Sequence, residues 1–125
     1  MKFKQSHFLL FISSILLLTA CSRHSGTGVW KTDTDNQLGI EKIVVGFEGK
    51  AVFVSTKPKK IDWHCFWRGS KEKELLLECT PSTDPDKKQS YYLIVNEQGL
   101  AELRDDSSLL ATFTRTDENP SPKKK

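Results

Sequence analysis

Two stretches, residues 61–68 and 73–80, alternate apolar and polar side chains with a period of two, and they constrain the fold more than any other feature of the chain. A period of two places successive side chains on opposite faces of a strand. In the first stretch Ile61, Trp63, Cys65 and Trp67 share one side. Asp62, His64 and Arg68 share the other, with Phe66 as an apolar exception. In the second, Leu75, Leu77 and Cys79 oppose Glu74, Leu76 and Glu78. A hairpin centred near Glu72 sets Cys65 opposite Cys79 and Trp67 opposite Leu77. Both cysteines then fall on the apolar face.

The rest of the chain has the same texture. No sustained helical periodicity of apolar residues is visible. Eight short candidate strands cover 28–32, 41–47, 50–55, 61–68, 73–80, 90–95, 100–104 and 109–115, separated by Gly, Pro, Asp, Asn or Ser. Ile43, Val45 and Phe47 make one side of the second strand; Leu109, Ala111 and Phe113 make one side of the last. Short strands joined by short turns favour an antiparallel up-and-down meander. Eight strands can close into a small all-β barrel whose interior side chains just fill. Closure also removes unpaired edges. A two-sheet β-sandwich is the alternative.

The amino terminus carries a different signal. Lys2 and Lys4 precede an apolar run, 8–18, too short to span a bilayer, which needs roughly 20 apolar residues. The run ends Leu18-Thr19-Ala20-Cys21. This resembles the lipobox of bacterial lipoproteins. The resemblance implies a signal peptide over 1–20, a diacylglyceryl group on the Cys21 sulfur and a further acyl chain, such as palmitate, on its freed amine. Several acyl chains anchor a protein stably, each buried methylene contributing about 0.8 kcal/mol. Ser22, rather than Asp, follows Cys21. By the same resemblance the destination is the outer membrane, on the periplasmic face more readily than at the cell surface.

The organisation expected is a lipidated tether at 21–27, a β domain at 28–115 and a disordered, lysine-ended tail at 116–125. Removing Lys2 and Lys4 from the 19 basic residues leaves 17 against 16 acidic, a formal net of +1. No basic surface for nucleic acid is implied. Export favours a disulfide for Cys65 and Cys79 over a metal or redox site. A bond closing that loop contributes roughly 3 kcal/mol.

Gly28-Val29-Trp30 opens the first strand and Arg115 ends the last. This arrangement resembles the lipocalins and other calycins, in which a late arginine packs over the tryptophan of a Gly-x-Trp motif. The implied cation–π contact is worth roughly 0.5–2 kcal/mol. Two families of small exported calycin-like inhibitors are similar in size. One acts on bacterial metalloproteases and also carries Gly-x-Trp with one disulfide. The other inhibits lysozyme, and Gly99-Leu100-Ala101-Glu102-Leu103 resembles one of its motifs.

Little in the sequence points to chemistry. His64, with Asp62 two residues away, lacks the further partners that a catalytic or zinc site needs; a solvated outer-face histidine is the better reading. The run 31–37 departs from a calcium loop at Gln37, Leu38 and Val44. Trp30, Trp63 and Trp67 either fill the core or line a pocket. Phe66, Tyr92 and Ile94 point outward as a candidate partner patch. Lys123–Lys125 can attract anionic lipid or join peptidoglycan. No catalytic residue, metal or cofactor is therefore expected. The leading expectation is a non-enzymatic module that binds an envelope or extracellular macromolecule, as a protease or lysozyme inhibitor or an exclusion protein does. The alternatives are a lipocalin-like carrier of a small apolar ligand and a structural protein attached to peptidoglycan.

Overall fold

The computed structural model describes residues 24–55 and 62–121; Cys21, Ile61 and the terminal lysines lie outside them. Eight strands follow one another: β1 Gly28–Lys31, β2 Ile40–Val45, β3 Lys50–Ser55, β4 Trp63–Lys71, β5 Glu74–Pro81, β6 Gln89–Val95, β7 Leu100–Arg104 and β8 Leu109–Arg115. Each pairs antiparallel with the next, and β8 returns to β1, closing the barrel. The sequence expectation of a small all-β, eight-stranded up-and-down barrel is met, and the sandwich alternative is set aside.

The central hairpin has the expected register. Cys65 faces Cys79 and Trp67 faces Leu77. The two cysteines form a disulfide and are buried. Inside the barrel, Trp30, Phe53, Phe113, Ile43, Leu75 and Leu93 are almost wholly removed from water. They come from six different strands, so the core is one contiguous filling.

The short hairpins explain how the strands return. In the β2–β3 and β6–β7 turns, Gly49 (φ 84°) and Gly99 (φ 78°) take the left-handed conformation that ends a tight hairpin loop. The loops close through Gly46 N–H to Lys50 O at 2.8 Å and Asn96 N–H to Leu100 O at 2.9 Å. Asn96 adds its carboxamide oxygen, which accepts from Gln98 N and Leu100 N.

Alternation fails at two places. Phe47 lies past the end of β2, in the turn, and is 40% exposed rather than inward with Ile43 and Val45. Leu109 is 46% exposed, because the register shifts between Leu103 and Arg104. Leu110 packs against the core instead. A bulge of this kind moves side chains to the other face without breaking the strand.

Both ends of the domain extend beyond the expected limits. Residues 24–27, expected as tether, pack on the barrel: Gly26 and Thr27 are buried. Thr116 continues the β8 pairing, its N–H and hydroxyl both reaching Val29 O. Glu118 then pairs with Lys31 at 2.7 Å and Lys42 at 3.7 Å. Thus 116–121 crosses the outer wall rather than leaving it. The physical reason is the same in both cases: a polar segment is held by backbone partners on strands remote in sequence, which local composition does not encode.

Candidate functional site: the two ends and the outer wall of the barrel

One end of the barrel is formed by the start of β1, the end of β8 and the turns β2–β3, β4–β5 and β6–β7. Trp30 is fully buried there, and a buried indole N–H needs an acceptor. Gly26 O supplies it at 3.0 Å. The Arg115 guanidinium lies 4.3 Å from the Trp30 ring centroid, the contact that the calycin resemblance implies. Arg115 also donates to Thr27 O at 2.7 Å and to Ser25 O. Gly28 is required beneath it. Its φ is 136°, and a Cβ would stand 2.6 Å from Arg115 Nη1.

Residues 24–27 form a strap across this end. His24 Nε2 lies 2.9 Å from Lys71 O, and Nδ1 accepts from Gly26 N at 3.0 Å. With Nδ1 accepting the Gly26 N–H, Nε2 is the ring nitrogen that faces Lys71 O as donor. Ser25 Oγ donates to Glu72 O at 3.2 Å. The His24 ring meets Trp67 edge-on at 6.0 Å, and Trp67 Nε1 donates to Gly46 O at 2.8 Å.

The far end holds the β1–β2, β5–β6 and β7–β8 connections. Trp63 packs edge-on to Tyr91 at 6.2 Å, and Phe53 tilts against Tyr91 at 5.7 Å. Burial, and after it the carboxylate of Asp105, holds the Tyr91 hydroxyl above its ordinary pKa. Asp105 lies below the usual carboxylate range, because the backbone N–H groups of Ser107 and then Ser108 donate to it.

The three tryptophans do not converge on a pocket. Trp30 is core; Trp67 and Trp63 are half-buried at opposite ends. His64 is exposed on the outer face of β4, and its backbone oxygen accepts from Thr80 Oγ1 at 3.4 Å. Among the described residues, no group of three or more His, Cys, Asp or Glu is arranged to hold a metal. No helix there is long and apolar enough to cross a membrane.

On the outer wall, Phe66 is 69% exposed, and Tyr92 and Ile94 are half-buried outward residues of β6, with Leu76 between on β5. Beside them the register brings Val44 opposite Val52, and Val52 opposite His64. Val44, Val52, Val54, Phe47, Lys42 and Pro120 line an open groove of about 550 Å³. Val44 stands opposite the side of its strand that carries Ile43 and Val45 in the sequence pattern, whereas the outward facing of Val52 and Val54 comes from the barrel. The groove was not legible in the sequence, because its second wall is the tail segment 120–121.

Together the closed antiparallel barrel and the Arg115–Trp30 contact define a small, calycin-like β-barrel. Comparison with known protein families, with curated proteins and with solved structures finds no match to this chain.

Proposed function

We propose that the protein is a lipid-anchored, non-enzymatic binding module that meets a macromolecular partner of the cell envelope through its outer barrel wall. The observation that carries this reading is where the apolar surface lies. The interior is occupied by the chain's own side chains, Trp30, Phe53 and Phe113 the largest of them. That favours surface recognition over a carrier cavity. Outside, Val44, Val52, Val54 and Phe66 form a neighbouring set on β2, β3 and β4. Single exposed apolar residues are ordinary, whereas contiguous ones accompany interaction surfaces. Inhibition of a protease or lysozyme, or exclusion of a phage or plasmid, are the concrete forms such binding takes.

The anchor belongs to the same proposal. It is supported by the basic start, the apolar run and Leu18-Thr19-Ala20-Cys21. Outer-membrane placement follows from Ser22 in the position that sorts such proteins.

Photo-crosslinking in intact cells tests the wall. A photoreactive residue at Val54 or Phe66 is expected to give a discrete adduct, and one at Thr112 on β8 is not. Adducts from Thr112 alone, or from no position, overturn the proposal.

A further inference from the structure

We infer that the strapped end of the barrel is the face that rests on the lipid surface, with the far end directed away from it. The inference rests on the proposed acylation of Cys21. It follows from how firmly residues 24–27 are held on the barrel. His24 is bonded through both ring nitrogens, and Ser25 through its hydroxyl to the β4–β5 turn. The strap is pinned a second time from β8, by Arg115 on Ser25 O and Thr27 O. Only Ser22 and Arg23 separate Cys21 from this anchored residue. Three residue steps span at most about 10 Å. A flexible tether up to residue 27 would have left orientation open; a strap fixed from residue 24 does not.

The surface of this end suits a lipid headgroup layer. Phe47, in the β2–β3 turn, is 40% exposed. Lys50 and Lys71 are exposed beside the same turns together with Glu48 and Glu72, while Lys73 is paired with Glu97 at 2.8 Å, so the charges of this end are close to balanced. An apolar ring among balanced charges, with lysine stems that can lie along an apolar surface, suits a zwitterionic headgroup layer. A strand of six residues rises roughly 20 Å. The far end therefore stands clear of the lipid, and the outer-wall groove is reachable from the side.

The test uses the full-length protein made in bacteria, with one added cysteine, at Gln98 in the β6–β7 turn or at Asp106 in the β7–β8 turn. Each is labelled with a dansyl group and reconstituted into phosphatidylcholine vesicles containing a headgroup-nitroxide lipid. Quenching at position 98 is expected to exceed that at 106 at least threefold. The double variant His24→Ala/Ser25→Ala, which leaves the core and the Arg115 bonds to the backbone of the strap in place, is expected to reduce that contrast without erasing it. Equal or reversed quenching in a membrane-bound protein overturns the orientation. Intact mass reports separately on the anchor: absence of the acyl increment on Cys21 with loss of vesicle binding overturns the underlying reading itself.

Discussion

The two ends of the barrel are closed by different means. At the strapped end, groups far apart in sequence meet: Trp30 with Arg115, His24 with Lys71 and Trp67 with Gly46. At the far end, closure is largely local. Asp105 binds Ser107 and Ser108 within its own turn, Asn36 binds Ile40 N and O, and Asp84 O accepts from Lys87 N. A local turn forms with little loss of chain entropy, whereas remote contacts require the barrel to be closed first. The strapped end is thus expected to form and fail with the whole fold, and far-end turns to vary independently.

Substitutions of the tryptophans probe that difference most strongly. Trp30→Ala removes a fully buried indole and should cost about 3–5 kcal/mol in denaturant unfolding. Trp63→Ala, at the half-buried far end, should cost clearly less. Equal losses would remove the distinction between the ends. The Cys65–Cys79 bond lies between them and crosses β4 and β5. Replacing both cysteines by serine should lower stability by about 3 kcal/mol, and reductant should then have no further effect on the midpoint.

Gly28→Ala comes next. It forces an alanine to φ 136° and displaces Arg115, so a loss of about 1–3 kcal/mol is expected. In an Arg115→Ala background the steric share of that loss should shrink, which a double-mutant cycle measures.

A pH experiment addresses the far end. The Tyr91 hydroxyl is held above its ordinary value by burial, so the folded state keeps its proton at a pH where the unfolded chain has lost it. Its contribution is present below about pH 10 and is lost as pH rises through the raised value. Tyr91→Phe should flatten the alkaline fall in stability relative to the parent. An unchanged alkaline limb would mean that the phenol remains solvated. The smallest effect is expected at Glu118. Its pairing with Lys31 lowers its pKa, but both groups are exposed, so Glu118→Gln should shift the midpoint only at low salt.

Legibility followed the same division. Alternation around Cys65 and Cys79 fixed one hairpin register, and a one-residue slip would have turned Leu75 and Leu77 outward. Turn residues marked the other strands to within a few positions. The excursions at Phe47 and Leu109 were not legible, since a turn start and a bulge alter the facing of one residue without altering composition. Nor was the strap: Ser25, Gly26 and Thr27 are small and polar, as a free tether would be.

By itself the sequence determined that this chain builds a small antiparallel β domain with one internal disulfide register. Period-two patterning and turn chemistry act over a few residues and need no knowledge of the closed barrel. Only the tertiary structure decided that His24 and Ser25 belong to the domain, that 116–121 walls a groove, and that Arg115 secures the strap over Trp30. Those contacts join residues up to 90 positions apart. Their partners are largely backbone oxygens, which every residue carries, so only closure of the barrel selects which of them meet.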